Sequence, residues 1–374
     1  MKAFEFLTEG ARIDHPEDLI FSDEGVAGAQ RAIQALAGLP KQARTLSIKW
    51  DGFPALIFGR NVDGQLIVCD KYMFDKKDGS GRVTSPEAFR QYDANRGASR
   101  GDLYAKMDVL FPALNKIVAP GSKGFYWGDL LYVGKPDVQN GFYTFKPNTV
   151  TYRVRADSPL GKRIGASVAG IAVHTMFADI DAPDQPLAGI GNLPATGPVV
   201  FVSGDMPAAP KVTVDNNAVG AANAVLSKYS PAISKLTQDL TAMKAKGVIN
   251  AISPFITSKI SAGNFSGMLE GFYSYLATKL SGPAQAKLLG NADGYLYKEG
   301  RAGLEGIFAT WVAIYNLKLA IKQQIDASLS DADVQAFTGN SPGHEGYVFG
   351  AGQNKIKLVD RLGFTAANLA KNNT

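Results

Sequence analysis

Residues 45–70 read TLSIKWDGFPALIFGRNVDGQLIVCD, which is a series of short apolar runs separated by turn signals. Three of the runs have the length and composition of β-strands: residues 45–50, 55–60 and 65–70. Asp51-Gly52 and Asp63-Gly64 lie between these runs and are typical of tight turns. The stretch therefore predicts an antiparallel meander, with Lys49 at the end of its first strand.

The sequence on both sides of this meander mixes helical and strand-like patterns. Apolar residues recur at helical spacing in residues 16–38, and Gly38-Leu39-Pro40 ends that helix. More strand-like runs follow downstream, in residues 124–132, 141–146, 150–154 and 170–180. The first half is therefore predicted to be an α+β unit built on antiparallel sheets.

The composition changes after Ile180. Proline and glycine punctuate residues 183–198, and helical periodicity then follows in residues 218–246, 267–280 and 302–329. The apolar stripe of the last helix is predicted to be core, with a partner-binding face as the alternative. Strand-like sequence returns over residues 344–362. We therefore predict a first core part at 1–182, a loop-rich and helical insertion at 183–335, and final core strands at 336–374.

The composition is typical of a soluble globular protein. Of the 374 residues, 45% are hydrophobic and 10% are aromatic, which is enough for a full core. No stretch reaches the roughly 18 uninterrupted apolar residues of a membrane span, and the first residues lack the long apolar segment of a secretion signal. We therefore expect a cytoplasmic protein without a membrane partner.

The net charge, the cysteine count and the spacing of the histidines limit the possible partners and the possible chemistry. The formal net charge of +5 is a mild bias toward nucleic acid or another polyanion. Cys69 is the single cysteine, which excludes an intrachain disulfide and a cysteine zinc site and fits a reducing compartment. His15, His174 and His344 show no metal-ligand spacing.

Lys49 is the candidate nucleophile, in the run Lys49-Trp50-Asp51-Gly52. A lysine that bonds covalently to a nucleotide needs a cation to neutralise the phosphates and further positive charge on their oxygens. Because the pKa of a free lysine is about 10.4, we expect burial or neighbouring positive charge to lower the pKa of Lys49. The alternative is a structural lysine at a strand end beside an Asp-Gly turn.

Two further residues lie on strand-like runs. Asp129 ends an aromatic run and shares a face with Phe125 and Trp127, so its carboxylate needs a partner. That partner would be a ribose hydroxyl or, alternatively, a buried arginine. Phe177 is a candidate base-stacking ring, with core packing as the alternative.

The last candidates belong to one predicted hairpin near residue 350. Glu345 precedes the apolar run Gly346-Tyr347-Val348, and Lys355 and Lys357 follow it. Two lysines that share a face of a strand repel each other unless an anion lies between them, and phosphate is the obvious anion. The alternative is a solvated edge strand, where lysine is a common protective residue.

The order of these motifs resembles the covalent nucleotidyltransferase superfamily of ATP-dependent DNA and RNA ligases and mRNA-capping enzymes. The resemblance covers residues 40–180 and 340–362: Lys-x-Asp-Gly, an aromatic strand that ends in Gly-Asp, an apolar strand with Phe and Asp, Glu-Gly-x-Val, and Lys-x-Lys. The opening residues 6–9 and 15–19 also resemble uncharacterised ligase-like proteins of large tailed bacteriophages.

The resemblance implies a role for each candidate residue. Lys49 would be the adenylated nucleophile, with Asp51 of the same motif in the catalytic set. Asp129 would contact the ribose and Phe177 would stack on the adenine. Glu345 would be the metal ligand. The phosphate clamp and further catalytic charge would come from Lys355 and Lys357.

The chain also departs from the family pattern. Pro54 stands where ligases have an arginine, so Arg60, Lys71 or Arg82 would have to contact the ribose or the phosphates. Only 17 residues follow Lys357, too few for a C-terminal oligonucleotide-binding (OB-fold) barrel. The expected fold is therefore a ligase-type adenylation core of antiparallel sheets with a large helical insertion and without an OB-fold.

The function implied is ATP-dependent sealing of nucleic acid that carries 5′-phosphate and 3′-hydroxyl ends, with Mg²⁺ as cofactor and RNA slightly favoured over DNA. Two alternatives stay open. One is a binding protein that keeps the fold without turnover, and the other is nucleotidyl transfer to a protein or an RNA cap. The helical insertion is a candidate surface for a protein partner. If a phage encodes the chain, its compartment is the host cytoplasm.

Overall fold

The computed structural model describes residues 15–95, 97, 100–206, 209–329, 332–339, 341–350 and 355–372. Residues 6–9, on which one of the resemblances noted above depends, lie outside these ranges. The described part of the chain is a mixed α+β fold.

The strands and helices are numbered here in chain order. The strands are β1 (Ser47–Lys49), β2 (Ala55–Arg60), β3 (Leu66–Cys69), β4 (Phe125–Val133), β5 (Asp137–Gln139), β6 (Phe142–Phe145), β7 (Val150–Arg155), β8 (Ala169–Phe177), β9 (Asp184–Pro186), β10 (Val199–Val202), β11 (Val334–Thr338), β12 (Ser341–Pro342), β13 (Gly346–Phe349) and β14 (Ile356–Val359). The α-helices are α1 (Gly25–Gly38), α2 (Lys71–Phe74), α3 (Pro86–Asn95), α4 (Gly101–Ile117), α5 (Pro159–Gly165), α6 (Asn216–Ala242), α7 (Gly247–Asn250), α8 (Ile252–Ser261), α9 (Met268–Lys279), α10 (Gly282–Leu288), α11 (Arg301–Ser328) and α12 (Arg361–Asn372). Short 3₁₀ helices lie at Pro16–Phe21, Leu39–Thr45, Gly290–Ala292 and Tyr295–Tyr297.

The chain divides into two compact units. Unit 1 contains the described residues of 47–207 and 329–345, and unit 2 contains those of 13–46, 208–328 and 346–374. This division differs from the boundaries predicted at residues 182 and 335. The first helical segment belongs to unit 2 because the apolar stripe of α1 is buried against α6 and α11.

Unit 1 is built on two sheets. One sheet has the strand order β10-β8-β4-β2-β3, with β9 paired to β8, and the other has the order β12-β11-β7-β6-β5. The predicted pairing of β2 with β3 is confirmed, but the other neighbour of β2 is β4. The sheets are not wholly antiparallel as predicted, because β10 pairs with β8 in parallel.

The core of unit 1 lies between its larger sheet and α4. That helix packs against β3, β4, β8 and β10. Its residues Met107, Leu110 and Leu114 are fully buried and share one face at the three- to four-residue spacing of a helix. The sheet contributes Phe58 and Phe201, whose rings stack with centroids 5.6 Å apart. This packing fixes β4 and β8, the strands that carry the candidate site.

Unit 2 is mainly helical, and α11 lies at its centre. The helix packs against α1 and α6. At Gly306 a Cβ would lie 2.5 Å from the Cβ of Tyr229, so only glycine allows this approach of α11 to α6. Leu304, Phe308 and Trp311 are buried, which confirms the predicted core stripe. Unit 2 also contains the predicted final hairpin, in which β13 and β14 pair antiparallel.

The same helix is also apolar along its length. Among the described residues, Arg301–Ser328 alone is long and apolar enough to cross a membrane, and 61% of its most apolar window is buried inside the structure. Such burial is typical of the core helix of a soluble protein.

Unit 2 encloses a group of charged side chains. Lys318 and Glu17 are fully buried, and Lys318 Nζ lies 2.5 Å from Glu17 Oε1. Arg361 Nη1 donates to Asp18 Oδ1 over 2.8 Å, and the indole N–H of Trp311 donates to the same oxygen. Burial lowers the pKa of Lys318, while the Glu17 carboxylate opposes that shift. Lys318 and Glu17 therefore depend on each other, because water does not reach either charge.

Lys318→Met should destabilise the protein strongly, because it leaves the Glu17 carboxylate buried without its ammonium partner. We expect a loss of about 3 kcal/mol in the free energy of unfolding, measured by chemical denaturation. The exposed lysine of the Lys235–Asp239 pair is the matched control, and Lys235→Met should cost less than about 0.5 kcal/mol. Equal losses for the two variants would contradict this interpretation.

Candidate active site

Lys49 and Glu345 form an ion pair in unit 1, although 296 residues separate them in the sequence. Lys49 Nζ lies 2.5 Å from Glu345 Oε2. The Lys49 side chain is 41% exposed and that of Glu345 is 9% exposed, so solvent reaches part of the lysine while the carboxylate is largely enclosed. The structure thus brings the predicted nucleophile and the predicted metal ligand together.

The segment after Lys49 is held by contacts on both sides. The indole N–H of Trp50 donates to the carbonyl of Ser203 over 2.9 Å. The backbone N–H of Phe53 donates to the carbonyl of Leu130 over 2.9 Å. These bonds fix Lys49 and the following Asp-Gly pair against β4 and the residues after β10.

Gly52 allows this segment to approach β4 closely. A Cβ at position 52 would lie 2.5 Å from the Cβ of Asp129 and 2.9 Å from the carbonyl oxygen of Leu130. Both contacts are shorter than van der Waals separation, so any other residue would push the segment away from β4. The glycine of the Lys-x-Asp-Gly run therefore brings Asp129 next to the backbone that follows Lys49.

Asp51 is buried and holds the residues that precede β7. Its Oδ2 accepts the backbone N–H groups of Thr149 and Val150 over 2.6 and 2.7 Å, and its Oδ1 accepts the side-chain amide of Asn148 over 2.8 Å. Its own N–H donates to Tyr152 Oη over 2.7 Å. The predicted catalytic part of Asp51 is thus best described as positioning, because both carboxylate oxygens are engaged by this turn.

Asp129 is the third carboxylate near Lys49. Burial raises the pKa of Asp129 to about 7, the charge of Lys49 lowers it, and the charges of Glu345 and Asp51 raise it further. A carboxyl group with such a pKa changes its charge near neutral pH and can exchange a proton there. Its predicted contact with a ribose stays a prediction.

The charges around Lys49 are opposite in sign to those expected from the sequence. Burial alone would lower its pKa, but Glu345, Asp129 and Asp51 outweigh that effect and raise the pKa above its ordinary value. Burial thus acts in the predicted direction, but within unit 1 the neighbouring charges are negative, so the predicted net lowering of the pKa of Lys49 is wrong. Lys49 is an ammonium group at neutral pH until something changes the charge around it.

His174 and Trp127 lie beside Asp129 on neighbouring strands. His174 Nε2 lies 3.8 Å from Asp129 Oδ2, and the His174 and Trp127 rings are 5.4 Å apart. The register of β4 and β8 shifts between Trp127 and Gly128, which makes His174 an extra residue in β8. Although 43% of the His174 side chain is exposed, desolvation by the surrounding chain, with the charge of Lys49 next, lowers its pKa to about 4, so the ring is neutral at pH 7.

Phe177 and Lys71 lie farther along the same aromatic face. Phe177 is 3% exposed and packs 5.2 Å from Phe74 and 6.3 Å from Trp127, measured between ring centroids. This burial leaves no open ring face for an adenine, so its predicted stacking role gives way to core packing. Lys71 Nζ lies 5.3 Å from the Phe177 centroid and 5.7 Å from that of Trp127, and it pairs with Asp75.

Arg60 does not have the predicted role. Its five N–H groups donate to the carbonyl oxygens of Val118, Gly64 and Asn115 and to the side chain of Asn115. The side chain is buried and holds the end of α4, so no donor is left for a ribose or a phosphate. The alternative Arg82 donates to the carbonyl of Phe74.

Lys355 and Lys357 belong to unit 2. Lys357 lies in β14 opposite Val348, and Lys355 lies directly before that strand. The buried Ile356 and Leu358 alternate with the less buried lysines, which confirms that the two lysines share a face. Their role as a phosphate clamp stays a prediction.

Sequence reasoning missed the parts played by Trp127, His174 and Tyr152. The signal for Trp127 was present, because strand alternation put it on the same face as Asp129. His174 follows from a register shift that strand periodicity does not show. Tyr152 packs its ring 4.7 Å from that of Trp50, a contact between residues far apart in the sequence.

The donor atoms of the site suit a hard cation better than a soft one. Among the described residues, no three His, Cys, Asp or Glu side chains form a cluster that could hold a metal ion alone. Mg²⁺ is usually bound by one or two carboxylates together with substrate phosphates. Glu345, with Asp129 nearby, fits that pattern because oxygen donors and excess negative charge meet there.

The chain belongs to a family of unknown function, DUF6267, which it matches over residues 11–373. No curated protein and no solved structure matches it.

Asp129→Asn should stabilise the protein at pH 8, because it replaces a carboxylate whose charged form is penalised in the folded state. The folded-state pKa is about 7 and the ordinary value is 3.8, so stability falls as pH rises between these values. We expect a gain on the order of 1–2 kcal/mol in the free energy of unfolding at pH 8, and none near pH 4. Asp137→Asn, at an exposed position in β5, is the control. A less stable Asp129→Asn variant at pH 8 would contradict the electrostatic interpretation.

Proposed function

We propose that this protein is a covalent nucleotidyltransferase that takes adenylate from ATP onto Lys49 and passes it to the 5′-phosphate end of a nucleic acid. The observation that carries the proposal is the meeting of Lys49 with the carboxylates of Glu345 and Asp129. Separate motifs of the chain supply these groups, and the resemblance assigns all three to one site. A structural lysine at a strand end would not require that convergence.

In the first step the Lys49 amine attacks the α-phosphorus of ATP. An N–P bond forms, the P–O bond to the β-phosphate breaks, and pyrophosphate leaves. The Nζ proton is lost to water, which reaches the 41% exposed Lys49 side chain. The ammonium form of Lys49 would attract the phosphates before reaction, and loss of this proton would make the nitrogen a nucleophile.

In the second step a 5′-phosphate oxygen attacks the adenylate phosphorus, the N–P bond breaks, and a phosphoanhydride forms. A 3′-hydroxyl then attacks the 5′-phosphorus and AMP leaves, which seals the strand. Asp129 is suited to receive a proton here, because its pKa lies near working pH. Positioning and charge neutralisation would supply most of the rate.

Glu345 is the residue that would hold Mg²⁺, which would supply neutralising charge for the phosphates. Three carboxylates around one ammonium group leave an excess of negative charge near Lys49. A bound cation would offset that excess and weaken the attraction of the carboxylates for the lysine proton. The acidic surroundings of Lys49 are therefore compatible with the reaction.

Trp127 is a better candidate than Phe177 for the ring beside the adenine. It lies on the same face of β4 as Asp129 and is only partly buried. Its indole N–H is enclosed and has no hydrogen-bond partner among the described residues. An adenine nitrogen is an acceptor that would satisfy this donor.

A nucleotide-binding protein without turnover is the second candidate. The raised pKa of Lys49 favours it, because an ammonium group does not attack phosphorus. The engagement of Arg60 with α4 favours it as well, since Arg60 has no donor left to replace the arginine usual in ligases. This candidate predicts ATP binding without a covalent product.

Incubation of the protein with α-labelled ATP and Mg²⁺ separates the two candidates. We expect label that survives denaturation and is released by acid, as an N–P bond is, and no label on Lys49→Arg. The matched control is Lys116→Arg, at an exposed lysine of α4, which should be labelled like the wild type. An unlabelled wild type that binds ATP in calorimetry would favour the binding protein. Equal labelling of Lys49→Arg would contradict the proposal.

A further inference from the structure

Unit 1 contains a cleft that no step of the proposed reaction uses. It has a volume of about 390 Å³ and is lined by Tyr72, Lys76, Gln91, Tyr92 and Asn95, among others. That volume is within the range of ligand pockets, which is roughly 300–1,000 Å³. The cleft is therefore large enough for one nucleobase with its sugar.

One wall of the cleft is a face of α3. Ala88, Gln91, Tyr92 and Asn95 recur at the three- to four-residue spacing of one helix face. Gln91 and Asn95 are exposed, and a side-chain amide offers both a donor and an acceptor, as the edge of a nucleobase does. This face thus combines an aromatic ring with groups that can hydrogen-bond to a base.

The cleft is also lined by an exposed ring and a cation. Tyr72 is 55% exposed, which is unusual for so large an aromatic side chain on short, well-packed α2. Lys76 Nζ lies 5.4 Å from the ring centroid of Tyr92. Lys76 also hydrogen-bonds to Tyr92, and the charge of Asp78 acts on it from outside the cleft. Among the described lining residues there is this cation and no carboxylate, so the cleft is suited to an anion with a flat ring system.

The register of the sheet places the cleft near the Lys49 site. Ile57 of β2 lies opposite Cys69 of β3, so the start of β2 and the residues just after β3 lie at the same end of that pair. Ala55, at the start of β2, lies opposite Asp129 on its other side. Tyr72 follows β3 by three residues, and its neighbour Lys71 lies 5.7 Å from the ring of Trp127, two residues before Asp129.

We propose that this cleft binds a nucleotide of a single-stranded nucleic acid whose end is presented to Lys49. Tyr72 stacks on a base, the amides of α3 contact its edge, and Lys76 contacts a neighbouring phosphate. Sequence-tolerant binding of single strands is built from such aromatic rings and lysines. The inference rests on the proposed function for the identity of the strand as substrate.

ATP is the other anion with a flat ring, and the arrangement of side chains favours the strand. Lys71 lies on the Trp127 side of α2, whereas Tyr72 and Lys76 line the cleft. Lys71, beside the Trp127 ring assigned to ATP, and Tyr72, in the cleft, therefore lie on different faces of α2. A strand has bases and phosphates that extend beyond the reacting end, and the cleft is suited to bind them.

Binding of short single strands tests the inference without ATP. The probes are unstructured 5′-phosphorylated RNA and DNA oligonucleotides of about 12 nucleotides, followed by fluorescence anisotropy. Tyr72→Ala should weaken binding roughly tenfold, and Tyr72→Phe should keep it within about twofold, because the ring stacks. Lys76→Gln should weaken binding. It should also reduce the slope of the logarithm of the binding constant against the logarithm of the salt concentration by about one.

Lys77→Gln is the matched control, because it removes the same charge from the next residue, which does not line the cleft. It should weaken binding less than Lys76→Gln does. Equal effects of the two lysine variants, or wild-type binding by Tyr72→Ala, would overturn the inference. So would a loss of ATP binding in Tyr72→Ala with unchanged oligonucleotide binding.

The labelling reaction distinguishes this inference from the proposed function. Tyr72→Ala should still be labelled by α-labelled ATP, because the ring lies outside the Lys49 site. If the wild type binds oligonucleotides through Tyr72 but is never labelled, the cleft stands and the proposed chemistry fails. If labelling occurs and Tyr72→Ala binds the strand normally, the chemistry stands and the cleft fails.

Discussion

The ion pair between Lys49 and Glu345 is the interaction on which the site of unit 1 depends. It joins the end of β1 to a residue almost three hundred positions later. It also places the largely enclosed Glu345 against the partly exposed side chain of Lys49. Gly52 provides the second constraint, because its missing side chain lets Asp129 lie against the same segment. Together these contacts gather charges that no single stretch of the chain carries.

The charges so gathered are unfavourable to stability by themselves. Asp129 has a pKa near neutrality because its burial penalises the charged form, and His174 stays neutral for a related reason. Structures tolerate such groups mainly where they serve a ligand or a reaction. Unit 2 contains the contrasting case, since the buried Lys318 and Glu17 are a pair of opposite charges in direct contact.

The sequence predicted local elements well and the long-range arrangement less well. Strands β2 and β4 and helix α11 follow from periodicity within one residue, and β8 follows within three. The pairing of β2 with β4 and the parallel partner of β8 depend on contacts that periodicity does not describe. The same limit explains Arg60, whose hydrogen bonds to the end of α4 appear only once the helix is packed on the sheet.

The sequence predicted which residues form the site better than it predicted the charges around Lys49. Motif order joined Lys49, Asp129 and Glu345, and the structure brings these groups together. The sign of the field at Lys49 was predicted wrongly, because motifs name residues but do not state which charges lie nearest. Family membership adds no function to these observations, since the family is one of unknown function.

Peptide mass spectrometry of the purified protein, before and after exposure to ATP and Mg²⁺, would show whether Lys49 becomes adenylated. We expect an adenylate bonded to the side-chain nitrogen of Lys49, lost on treatment with pyrophosphate. An adduct on a different lysine, or no adduct on any lysine under these conditions, would contradict the proposal.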